Sequence, residues 1–132
     1  MRKIKRKMLD LVNLHVLNKI RTPDNISVEF NLMLNNLHIG VLKLQNGKWY
    51  FKYADEFIAQ TDIKPQVNFP NKEKEYISSK LWPFFASRIP GIGQPEVKDF
   101  LHKAGLSYAN DVDLLKEFGK RTITNQYVLT AI

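Results

Sequence analysis

The chain has 132 residues, 44% hydrophobic and 25% charged, which suits one domain with a modest core and leaves no room for a second full domain. It has no cysteine, which excludes disulfides and thiolate metal sites and makes a reducing cytoplasm the expected location. No apolar run approaches the roughly 18 residues needed to cross a bilayer, and Asp10 interrupts the segment where a signal peptide would be continuously apolar, so neither membrane insertion nor export is expected.

The formal net charge of +7 is unevenly placed. Arg2, Lys3, Lys5, Arg6, Lys7, Lys19 and Arg21 face only Asp10, whereas the rest of the chain is nearly neutral. The break falls at Arg21-Thr22-Pro23-Asp24-Asn25, a turn-forming stretch in which Pro23 disfavours helix at Thr22. Residues 1–22 therefore read as a basic amphipathic helical arm, with Ile4, Met8, Leu11, Val12 and Ile20 at roughly helical spacing, and residues 23–132 as the domain proper. The arm has three readings: a solvated helix, a clamp on an acidic partner, or a contact to DNA phosphates through Lys3, Lys5, Arg6 and Lys7. Its apolar residues favour protein, and no aromatic residue interleaves with its charges as a single-strand stacking surface would need.

From Ile26 to Leu34 apolar and polar residues alternate with period 2, which predicts a strand with one buried face. Asn35-Asn36 turns the chain into a second strand, Leu37–Leu44. Asn46-Gly47 is a strong hairpin signal before a third strand, Lys48–Tyr53, because both positions tolerate positive φ. A short helix is expected over Asp55–Gln60, an extended edge segment over Pro65–Pro70, and a helix from Ser78 or Ser79 through Ser87 if Pro83 falls in its first turn. Gly91-Ile92-Gly93 breaks the chain. Pro95 and Glu96 open a helix that stops at Gly105, Asn110-Asp111 opens another that stops at Gly119, and Tyr127–Ile132 reads as a closing strand. The fold class is α+β: a small antiparallel meander packed by helices.

The residues offer little chemistry. Gly91-Ile92-Gly93 lacks the third Gly and the Lys-Ser/Thr pair of a phosphate loop, and reads as loop punctuation. His15, His38 and His102 are scattered without ligand-like spacing, and no serine sits in a nucleophile elbow. Asp111, Asp113 and Glu117 near one helix start are expected to complement its dipole rather than to act as acid and base. No enzyme activity, cofactor, metal or small-molecule substrate is expected. The stretch Leu81, Trp82, Phe84, Phe85 and Ile89 carries apolar groups on too many sides for one core face, so part of it should meet a partner, with Trp82 as anchor and Leu81, Phe84, Phe85 and Arg88 beside it. Trp82 filling the domain's own core is the competing reading, and core placement is the stronger expectation for Phe84 and Phe85.

Several runs together resemble a known family. Leu34-Asn35-Asn36-Leu37-His38-Ile39-Gly40-Val41-Leu42, Asn46-Gly47 and Phe51-Lys52-Tyr53-Ala54-Asp55-Glu56-Phe57-Ile58-Ala59 are similar to the start of HipA-type toxin kinases. So are Val67-Asn68-Phe69-Pro70, Trp82-Pro83-Phe84-Phe85-Ala86-Ser87-Arg88-Ile89-Pro90 and Asp113-Leu114-Leu115-Lys116-Glu117-Phe118-Gly119, in the same order from about Ile26 to Gly119. The chain departs from the family at Ser87-Arg88-Ile89, where Asn-Leu-Leu is usual, and at Lys120–Gln126, where a Gly-rich strand is usual. No ATP-binding Lys strand, catalytic Asp loop or Mg-binding Asp follows. The resemblance is thus to free-standing, HipS-like small subunits of three-component toxin–antitoxin systems. It implies a bacterial, cytoplasmic, non-catalytic antitoxin that docks on and inhibits a separate HipA-like (HipT-type) serine/threonine kinase, with a helix-turn-helix DNA-binding protein as third component. The alternatives are a nucleic-acid-binding accessory protein that uses the basic arm, and a remnant of a split kinase gene.

Overall fold

The computed structural model describes residues 22–91, 93–105 and 110–132. The basic arm, including Lys3, Lys5, Arg6 and Lys7, lies outside the described residues. Strands β1 (Val28–Leu34), β2 (Leu37–Gln45) and β3 (Lys48–Tyr53) form the expected meander. Asn35 (φ 55°) turns β1 into β2, and Asn46 (φ 52°) with Gly47 (φ 76°) turns β2 into β3. The closing strand β5 (Val128–Ala131) returns antiparallel to β1, with Leu129 opposite Leu32. With Tyr76–Ser78 as β4, the result is a five-stranded antiparallel sheet in the order β4-β3-β2-β1-β5.

Strand β4 is Tyr76–Ser78, pairing antiparallel with β3 through Ile77 opposite Tyr50. It replaces the edge segment expected at Pro65–Pro70, which is irregular, with a turn at Val67-Asn68. Prolines at both ends of that segment withhold ladder donors, and the Tyr53 hydroxyl serves its backbone instead. It accepts from the Gln66 N–H (2.9 Å) and donates to the Phe69 carbonyl (2.7 Å).

Among the described residues four helices accompany the sheet: α1 (Asp55–Ala59), α2 (Pro83–Ala86), α3 (Pro95–Ala104) and α4 (Asp111–Phe118). The helix expected from Ser78 or Ser79 is shorter, because Ser78 belongs to β4 and Trp82 is extended (φ −67°, ψ 150°). Proline disfavours helical backbone at the residue before it, so α2 starts at Pro83. Helix α3 begins on Pro95 and ends at Gly105 in the left-handed conformation (φ 71°). Helix α4 is capped by the Asn110 side chain, which accepts from the Asp113 N–H at 2.8 Å.

Alternate residues of the sheet, among them Phe30, Leu32, Leu42, Leu44, Trp49, Phe51 and Tyr53, point into one core. Phe57 of α1, Phe85 of α2, and Val112 and Leu115 of α4 complete it from the helical side. A satellite cluster of Val97, Leu101 and Leu114, with Phe100 edge-on to Phe118 at 5.7 Å, holds α3 to α4. The other sheet face is polar and mixed, with Lys43 over the Tyr50 ring at 5.1 Å. Among the described residues no helix is long and apolar enough to cross a membrane.

Candidate partner-docking site

The stretch singled out by its aromatic density forms the short helix α2 with the residues that enter and leave it. Trp82, at the N-cap, is half-buried and packs edge-on against Phe69 (4.9 Å between ring centres, 77° between planes). Phe69 is itself fully buried and stacked on Phe51 at 4.3 Å, so the indole rests on the rim of the core with part of its surface in solvent. Leu81 is likewise half-buried against the core. Phe84 is half-buried between two perpendicular ring contacts, Phe85 at 5.1 Å and Tyr127 at 5.5 Å. Its backbone N–H donates to the Asn68 side chain at 3.1 Å, which ties the loop before β4 to the first turn of α2.

Phe85 and Arg88 lie inward. Phe85 has no exposed surface, and burying a side chain of that size is worth about 2–3 kcal/mol. Arg88 is 4% exposed. One terminal guanidinium nitrogen donates to the carbonyls of Gly119 (3.0 Å) and Lys120 (3.2 Å), and the other to the Asn125 side chain (3.2 Å) and the Tyr127 carbonyl (2.9 Å). Burial pulls the guanidinium down to about 10, so it stays charged near neutrality. Arg88 thus organises the segment between α4 and β5 and leaves no donor turned outward for a partner. Leu81, Trp82 and Phe84 are brought together at the surface, and Phe85 and Arg88 hold them from behind.

A second polar constellation had no sequence signal. Asp111, expected to complement the α4 dipole, is 3% exposed. Its Oδ2 accepts from the Trp49 indole N–H (3.1 Å) and the Thr22 hydroxyl (2.5 Å). Burial pushes the carboxyl up from the ordinary range, opposed by those two hydrogen bonds. The group joins the N-terminal segment, β3 and α4, and has a structural role in the body of the domain.

Among the described residues no three His, Asp or Glu side chains are grouped to hold a metal ion. What the surface offers is a partly exposed indole and phenyl ring at the start of α2. Comparison with protein families matches residues 30–124 to the HipA N-terminal domain, and the chain belongs to that family. The domain is a non-catalytic part of HipA proteins and brings a toxin–antitoxin context with it. Comparison with curated proteins gives no match.

Proposed function

We propose that this chain is an antitoxin-like binding module that docks on a separate HipA-like serine/threonine kinase and holds it inactive. The observation that carries the reading is Trp82: a large ring, partly exposed at the rim of the core, packed on Phe69 at the start of α2. Rings held in this way lose little conformational freedom on binding and are common interface anchors. Membership of the HipA N-terminal domain family supports a HipA-like kinase as the partner. Inhibition would be steric or conformational, with Trp82, Leu81 and Phe84 pressed against the nucleotide or loop region of the kinase. A helix-turn-helix DNA-binding protein is the expected third component.

The test is co-purification of the full chain and its Trp82→Ala variant with a HipA-like kinase core from the same genome. The wild type is expected to form a complex and suppress autophosphorylation, and Trp82→Ala to lose both while its circular dichroism stays native. A variant that binds and inhibits like wild type removes Trp82 as the anchor.

The basic arm favours a second reading, a nucleic-acid accessory protein, through the charge on Lys3, Lys5, Arg6 and Lys7. It predicts DNA binding by the isolated chain that weakens steeply with salt and vanishes when those four residues are neutralised.

A further inference from the structure

Two aliphatic side chains stand clear of the body in the loops tied to α2. Val67 is 92% exposed, and Ile123 is fully exposed. A lone exposed aliphatic residue is ordinary. These two differ in that each sits in a turn fastened on both sides.

Around Val67, the Tyr53 hydroxyl holds both Gln66 and Phe69, the Phe69 N–H donates to the Gln66 carbonyl (2.9 Å), and Asn68 accepts from the first turn of α2. Around Ile123, the hydroxyls of Thr122 and Thr124 lie 3.2 Å apart. Asn125 accepts both from Arg88, just past the end of α2, and from the Tyr127 N–H (3.0 Å). Phe84 connects the two loops, with its N–H on Asn68 and its ring on Tyr127. The loops that carry the two exposed side chains are therefore tied to the body of the domain, which lowers the ordering cost of docking.

Building on the docking reading above, we propose that Val67 and Ile123 are the outer contacts of the kinase-docking surface, on loops flanking the Trp82 anchor. The occupant is a HipA-type kinase core with apolar pockets and acidic groups at their rim. One observation favours that occupant. The family match ends at residue 124, so in a protein that carries this domain at its N-terminus the loop holding Ile123 borders the remainder of the chain. The same loop exposes Lys120 and Arg121, with no acidic residue from there to Ile132, so the kinase face that meets it is expected to carry acidic groups.

The experiment is titration calorimetry of the full chain against a HipA-like kinase core that lacks an N-terminal domain of its own, with Val67→Asp, Ile123→Asp and Arg121→Glu as variants. All three positions are solvent-exposed, so the unfolding midpoint should stay at the wild-type value. Each variant is expected to lose at least about tenfold in affinity, the scale of a disrupted contact in a docked surface. If wild type binds and any of the three binds within about twofold of it, well inside one tenfold step, the surface as drawn is wrong while the docking reading stands. If wild type itself does not bind, both fall.

Discussion

The indole N–H of Trp49 and the carboxylate of Asp111, 62 residues apart in sequence, meet at 3.1 Å inside the domain. This one bond joins the meander to the start of α4, and the Thr22 hydroxyl on the same oxygen brings the N-terminal segment to the same point. An apolar residue at this position would avoid the desolvation of the carboxylate, but it would leave the buried Trp49 indole N–H unpaired.

The raised Asp111 carboxyl gives a pH dependence of definite sign. Its folded-state value lies above its unfolded one, so as pH falls through the folded value the native state takes up a proton that the unfolded state still lacks. Stability from this group therefore rises on acidification until the unfolded value, about 4, is passed. Asp111→Asn should flatten that part of the thermal-unfolding profile, whereas Asp111→Leu should cost about 1–3 kcal/mol by orphaning the Trp49 N–H. Identical pH profiles for wild type and Asp111→Asn would contradict the assignment.

Arg88 should prove to be a stability residue. Replacement by Ala strands carbonyls of Gly119, Lys120 and Tyr127 and opens space under Phe84, a loss of about 3 kcal/mol or more in chemical denaturation. Arg88→Lys should recover only part of it, because one ammonium cannot span the acceptors that the planar guanidinium reaches. Native stability in Arg88→Ala would mean that the side chain is free for a partner after all.

Tyr53→Phe removes a hydroxyl that bridges Gln66 and Phe69, with a cost of about 1 kcal/mol. The burial that pushes this phenol up to about 12 keeps it neutral throughout the ordinary pH range, so the effect should not vary with pH. Faster amide exchange at Gln66 in the variant would show that the hydroxyl orders the Val67 turn, and unchanged exchange would show that the turn holds itself.

Gly40 lies opposite Tyr53 and Leu32 where a β-carbon would come within 2.7 Å of both the Lys52 carbonyl oxygen and the Phe51 ring. Gly40→Ala should therefore destabilise by about 1–3 kcal/mol, the usual range for overpacking. A neutral effect in a urea titration would require the β2–β3 pairing to shift freely.

The features legible in the sequence were those set by local chemistry. Period-2 alternation placed β1, the turn signals Asn35-Asn36 and Asn46-Gly47 set off β2 and β3, and Pro95 with Gly105 bounded α3. Strand β4 escaped because its three residues follow the charged run Lys72–Glu75 and gain strand structure only by pairing with β3. Helix α2 starts at Pro83 rather than at Ser78 or Ser79 because Pro83 disfavours helical backbone at Trp82. In the candidate site, the aromatic density around Trp82 was visible, but the inward turn of Arg88 was not. Its acceptors lie 31 to 39 residues downstream, and all but Asn125 are backbone carbonyls, which every residue carries. Asp111 was hidden for a similar reason, since an acidic residue at a helix start already has an adequate local explanation.

The central claim is tested most directly by titrating this chain into a HipA-like kinase core and following autophosphorylation. The account predicts that kinase activity falls to background at one equivalent of the chain and returns when Trp82→Ala replaces it. Full kinase activity in the presence of excess wild-type chain would contradict it.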